Sequence, residues 1–193
     1  EAESMLGILA VGSRACLAIR RNLFRHMDLN IGEDCALPLD IIRQGFKMVH
    51  ASDAVACDRM ESEPAGEFKT RVRMTLRNWQ GTWKFPELLN PFFYPGYAFA
   101  LWSHMVLRWL SPVFLICLTV SAAALAAGGS QFFKFVSIGF VGFYLIGLIG
   151  WQVEFMGLRV PVAKTVFSFL LANIGFFVGV VKAVGGYRVS RYR

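Results

Sequence analysis

The chain has 193 residues; 55% are hydrophobic, 15% aromatic and only 17% charged, and its mean hydropathy is +0.48. Those proportions exclude a disordered chain, a collagen-like repeat and an ordinary soluble domain with a charge-rich surface. The net charge of +7 is unevenly placed: residues 1–95 carry 12 Lys/Arg against 12 Asp/Glu, and residues 96–193 carry 8 Lys/Arg against one acid, Glu154. Bases scattered beside long apolar runs read as membrane flanks, whereas a nucleic-acid binder gathers them on one soluble face, so no nucleic-acid partner is expected.

The chain opens with Glu-Ala-Glu-Ser rather than Met or a signal peptide, so it is expected to be a piece of a longer protein. Glu3 to Arg21 reads as a helix followed by a strand or a second turn. Its Gly12 to Arg21 stretch has neither the G-x-x-x-x-G-K-[ST] nor the G-x-G-x-x-G form of a phosphate loop. Gly32-Glu33-Asp34 then precedes a helix over Leu37–Gln44, with Leu37, Ile41 and Ile42 at helical spacing. Carboxylates at a helix entrance are electrostatically favoured and can serve as a general base. The same pair also suits a helix cap with a solvated neighbour.

Lys47-Met48-Val49-His50 reads as a short strand after a turn at Gly45. Glu67 to Trp83 reads as a basic helix with Arg73 and Arg77 at i and i+4. Arg71, Arg73 and Arg77, with Asn78, Trp79 and Gln80, form a cluster whose guanidinium groups suit either a diphosphate or an anionic membrane surface. Residues 1–86 are thus expected to be an α/β or α+β unit, with too few strands for a full doubly wound sheet.

Leu88 to Leu107 carries no charge but contains Pro91, Pro95 and Gly96 and is crowded with Phe92, Phe93, Tyr94, Tyr97, Phe99 and Trp102. That density of aromatics suits the headgroup level, so residues 87–109 are expected to be interfacial, with core packing as the alternative. Three uncharged runs follow: Leu110–Ala127, Phe135–Val153 and Thr165–Val181, of 18, 19 and 17 residues. A span needs roughly 20 apolar residues to cross about 30 Å of hydrocarbon, with about 17 as the lower limit. Gly128-Gly129-Ser130 joins the first two runs into a helical hairpin. The third run holds Asn173, Gly175 and Gly179 and reads as a span or a re-entrant segment. Gln152 and Asn173 are candidates for a channel wall or for helix packing. Three spans would put Arg188, Arg191 and Arg193 on the face opposite residues 1–86, against the positive-inside tendency; two or four would put them on the same face.

Cys16, Cys35, Cys57 and Cys117 form no C-x-x-C pair, and His26, His50 and His104 complete neither a zinc set nor a hydrolase motif. Reduced thiols facing the cytosol are the expected state.

Taken in order, Glu3-Ser4, the Gly12 stretch ending Ala18-Ile19-Arg20-Arg21, Gly32-Glu33-Asp34, Gly45-Phe46-Lys47-Met48-Val49, the Arg-rich helix and the apolar spans resemble the C-terminal half of a membrane-bound family 2 glycosyltransferase. Its relatives are the cellulose, chitin, hyaluronan and poly-N-acetylglucosamine synthases. Leu88-Leu89-Asn90-Pro91 and Leu107-Arg108-Trp109-Leu110-Ser111-Pro112 also look like members of that family. The resemblance implies that residues 1–86 are an α/β fragment, the second half of a GT-A type nucleotide-diphospho-sugar transferase domain, followed by interfacial residues 87–109 and transmembrane helices within 110–193. It implies an inverting hexosyltransferase at the cytosolic face of the inner membrane, moving sugar from a nucleotide-sugar donor to a growing polysaccharide.

By the same resemblance Asp34 is the general base, with Glu33 beside it, and Arg73 is the arginine of a Q-x-x-R-W motif in which Thr70 and Met74 replace Gln and Trp. Arg71, Arg77 and Trp79 would help hold the donor diphosphate and acceptor, and Arg20 and Arg21 would border the acceptor. A divalent cation, Mg or Mn, is implied as cofactor, but its D-x-D ligands occur nowhere in this sequence and would belong to a missing N-terminal half, so the fragment alone would be inactive. Two rival readings fit the composition. One is a glycosyltransferase with a lipid acceptor; the other is a non-enzymatic membrane scaffold subunit.

Overall fold

A computed structural model describes residues 2–10, 16–27, 31–57, 64–158 and 160–188. Its helices are α1 (Ala2–Met5), α2 (Glu33–Arg43), α3 (Pro64–Trp83), α4 (Pro95–Leu101), α5 (Leu107–Ala127), α6 (Gln131–Phe155) and α7 (Pro161–Val184). Short 3-10 turns cover Arg21–Leu23 and Pro86–Leu89. The chain divides into two compact units, one of residues 1–109 and 178–193, the other of residues 110–177.

No β-strand occurs among the described residues, and this corrects the α/β expectation for residues 1–86. Lys47–His50 is mostly exposed, and the His50 amide donates to the Ser4 hydroxyl at 2.7 Å rather than to a strand partner. A short apolar run becomes a strand only where another backbone lies beside it to complete the ladder, and sequence periodicity does not reveal that neighbour. The stretch from Gly12 to Arg21 begins outside the described residues; its described part, from Cys16, alternates between exposed and half-buried and closes in a 3-10 turn, not a strand. Arg191 and Arg193 of the basic tail also lie outside the described residues.

The first unit has a conventional core. α2 begins after Gly32, four residues ahead of the apolar spacing at Leu37, and buries Cys35, Ala36, Leu39, Ile41 and Ile42. It stops where Gly45 turns to φ +87°, a conformation that costs glycine little. α3 buries Val72, Thr75, Leu76 and Thr82 on one face. The two helices meet where Gly81 leaves room for Ile31: a Cβ there would stand 3.0 Å from the Ile31 side chain. Phe85, Leu88 and Leu89 extend the core, followed by Ala98, Leu101, Met105, Val106 and Trp109.

Pro95 does not break the aromatic segment. It occupies the first turn of α4, where a missing N–H costs nothing, and the helix continues through a π-helical stretch at Trp102–Val106 into α5. Pro95–Ala127 is one apolar helical run of 33 residues.

The second unit is built the other way round. Its buried apolar side chains are few, among them Ala122, Val153 and Ala163, while Val113, Ile116, Leu118, Ile138, Leu145, Leu148 and Phe169 are exposed. Glycines set its closest approach: a Cβ at Gly147 would overlap Leu170, and one at Gly150 would overlap the Ala163 carbonyl. Small residues at helix contacts with large apolar residues outside are the pattern of helices in lipid. α6 and α7, with Pro95–Ala127, are long and apolar enough to cross a membrane, and the chain is a multi-pass α-helical membrane protein.

Candidate functional site

The expected site residues fall around the α2–α3 contact of the first unit. Glu33 and Asp34 are the first two residues of α2, and only their backbone is described. Just before them, the Gly32 amide donates to the Arg77 carbonyl at 3.3 Å, and the Arg77 guanidinium donates through Nη2 to the Ile31 carbonyl at 2.7 Å. Arg77 is 8% exposed. A buried guanidinium is costly unless hydrogen bonds replace its water, and here a backbone carbonyl supplies one. Arg77 therefore clamps the entrance of α2 to the middle of α3.

Arg71, Arg73 and Trp79 share α3 with Arg77. Arg71 is paired with Glu67 one turn earlier through a hydrogen bond of 2.5 Å. The Trp79 ring lies 5.7 Å from that of Trp83 and 5.7 Å from that of Trp109, in tilted contacts. Such a cluster holds α3 to the start of α5. The structure thus brings Arg77 to the entrance of the acidic pair and sets Arg71, Arg73 and Trp79 along the same helix. Arg20 and Arg21 are exposed at the start of the first 3-10 turn.

Sequence reasoning missed a buried charged network of this unit. Asp40 is 3% exposed. Its carboxylate accepts from Gln44 Nε2 at 2.9 Å and from Arg43 at 3.2 Å, and Arg25 stands 4.0 Å away. Gln44 also donates to the Leu23 carbonyl at 3.2 Å, and Arg43 lies over the Phe85 ring at 5.1 Å and near Glu87 at 3.9 Å. The network ties residues 23–25, the end of α2 and the Pro86–Leu89 turn together. The spacing of Asp40, Arg43 and Gln44 at i, i+3 and i+4 was the available signal.

In the second unit Asn173 is buried, accepts from the Ser111 hydroxyl at 2.7 Å and donates to the Phe169 carbonyl at 2.8 Å. Both ends of the amide are satisfied within the helices. Gln152 is exposed on α6. Thr119 and Tyr144 share a 2.8 Å hydroxyl contact, and Lys164 pairs with Glu154 at 2.8 Å.

No family model, curated protein or solved structure matches the chain. The glycosyltransferase reading is corrected by the fold. A nucleotide-diphospho-sugar transferase domain is built on a sheet and holds its ligand at strand ends, and the described residues contain no strand. They also contain no group of three or more His, Cys, Asp or Glu side chains able to hold a metal ion. Hexosyltransferase activity, the nucleotide-sugar donor and the polysaccharide or lipid sugar acceptor are withdrawn with that fold. The membrane lipid is the partner that the three apolar helices support.

Proposed function

We propose that the protein is a non-enzymatic membrane scaffold subunit, anchored by its apolar helices and presenting the first unit to other components at the cytosolic face of the inner membrane. The observation that carries this reading is the use of the reactive-looking side chains. Arg77 holds a backbone carbonyl, Arg71 a neighbouring carboxylate, Trp79 two indoles, and Asp40 is enclosed by Arg43 and Gln44. These groups stiffen the unit.

What the first unit offers outward is recognition surface. Residues 46–57 leave α2 as a non-helical segment, with Val49 75% and Val55 87% exposed. Phe92, Phe93 and Phe99 are exposed in the aromatic segment that leads into α5 and suit the lipid headgroup level. Exposed Arg20 and Arg21, with Arg71 and Arg73, favour the cytosolic face under the positive-inside tendency.

Native electrophoresis after extraction in a mild detergent tests the scaffold reading. A stoichiometric complex with a distinct second polypeptide, lost when Val49 and Val55 are both replaced by Asp, is the expected result. A chain that migrates alone, or a complex indifferent to that double replacement, overturns it.

A further inference from the structure

We propose that the first turn of α5 and the chain beyond α7 lie at the same face of the membrane, so that the chain between Trp109 and Val178 crosses it an even number of times. Three contacts, all inside the first unit, lead there. Trp79 of α3 packs on Trp109 at the start of α5, ring to ring at 5.7 Å. Gln80, the next residue, donates through Nε2 to the Tyr187 carbonyl beyond the end of α7 at 2.8 Å. One and a half turns back on α3, Gly179 of α7 is pressed against Thr75: a Cβ at Gly179 would stand 2.6 Å from the Thr75 Cβ and 3.0 Å from the Val72 carbonyl oxygen. Trp109 and Tyr187 are therefore joined by the side chains of two adjacent residues. Consecutive Cα atoms are ~3.8 Å apart, and two side-chain reaches added to that fall short of the ~30 Å of hydrocarbon that separates the two faces.

The polarity of α3 decides where this junction stands. The helix carries Glu67, Lys69, Arg71, Arg73, Arg77, Asn78 and Gln80, and Lys69 is exposed. A Lys or Arg at the centre of a bilayer costs at least ~2.5–3.5 kcal/mol each, so a helix with four of them belongs at a water-facing surface. Whatever α3 binds directly is held at that surface, and it binds the beginning of α5 and the end of α7. Three complete crossings would separate those two points by the full membrane. α7 is the helix assigned the incomplete crossing, because its last turns are the part held on α3 and because it carries Lys164, Asn173 and Lys182. The same arrangement places Lys182 and Arg188 on the face that also carries Arg20, Arg21 and Arg71, as the positive-inside tendency requires. It stands independently of the scaffold reading, since it concerns only which side of the membrane each segment occupies.

Thiol labelling of the full chain in sealed vesicles of known orientation tests it. In a background carrying Cys16→Ser and Cys117→Ser, with Cys35 left in place because it is buried, one protein keeps the exposed Cys57. Two others add Cys57→Ser together with either Gln131→Cys, beside the α5–α6 turn, or Arg188→Cys. The expected result with a membrane-impermeant maleimide is that Arg188→Cys and Cys57 label in the same vesicle orientation, while Gln131→Cys labels in the opposite one. Labelling of Arg188→Cys only in the orientation opposite to that of Cys57 overturns the proposal. A second measurement avoids cysteine substitutions. An epitope placed after Arg193 on the otherwise native chain is expected to be removed by external protease in the same vesicles that expose residues 46–57 to cleavage. Its protection there overturns the proposal equally.

Discussion

The two units use the same apolar residues in opposite ways. In the first, Leu39, Leu76, Leu88 and Leu101 are enclosed in a buried apolar core. In the second, Leu118, Leu145, Leu148 and Ile149 are exposed, while Gly147, Gly150, Ala163 and Asn173 sit at contacts between its helices. Water drives apolar surface inward because leaving it wet is unfavourable. Lipid exerts no such drive, so helices there associate through close packing and interhelical hydrogen bonds. The contrast shows which solvent each unit is built for, and it can be broken by experiment.

Identical truncations should have unequal effects. Leu39→Ala opens a cavity at a fully enclosed position and is expected to destabilise the first unit by ~2–5 kcal/mol. Leu148→Ala, at a side chain 57% exposed, should leave the melting temperature of the purified protein in detergent almost unchanged. Equal losses would mean that Leu148 is enclosed in protein rather than lipid.

A charge placed on the two exteriors should separate them in the other direction. Leu148→Arg is expected to impair membrane insertion by ~2.5–3.5 kcal/mol on a translocon scale, read as the inserted fraction in a translation and integration assay. Val55→Arg, at an exposed position of the first unit, should leave insertion unaffected.

The polar contacts differ in the same way but by less. Asp40→Ala leaves Gln44 and Arg43 without their shared acceptor and is expected to cost ~1–3 kcal/mol, measured by urea unfolding followed at the Trp79 cluster. Arg43 is 42% exposed, so water recovers part of its solvation and the lower end applies to its share of the loss. Asn173→Leu removes the amide that joins Ser111 and is expected to cost only ~0.6–1.7 kcal/mol, seen as a small drop in thermal stability in detergent. A loss at Asn173 larger than that at Asp40 would show that the second unit depends on its polar contact more than its lipid-facing exterior allows.

Much of this molecule was legible in residue order. The uncharged runs from Leu110, Phe135 and Thr165 lie within α5, α6 and α7, because length and apolarity alone make a helix the available structure in lipid. The Gly128–Ser130 turn and the Arg-rich α3 were equally readable from local patterning. The site was not. Lys47–His50 follows a glycine turn and reads as a short strand, yet strand formation depends on a second backbone, and local sequence is silent about it. Ordered acidic and arginine motifs suggested sugar transfer, but Arg77 and Trp79 look the same in a one-dimensional pattern whether they meet a diphosphate or an Ile31 carbonyl and two indoles. Asp40 escaped notice because part of its network comes from outside its own helix: Arg25 approaches it directly, and the Leu23 carbonyl is tied to it through Gln44.

By itself, then, the sequence determined that this is a membrane protein of long apolar helices joined to a charge-balanced region. Hydrophobic content and helix length are additive along a chain, so they can be read without knowing what touches what. Only the tertiary structure decided that the charge-balanced region is helical throughout its described regular elements, that Arg71, Arg77 and Trp79 are committed to internal contacts, and that the end of α7 rests on α3 near the start of α5. Those are pairings between distant residues, set by shape and by the cost of leaving a buried polar group unmatched.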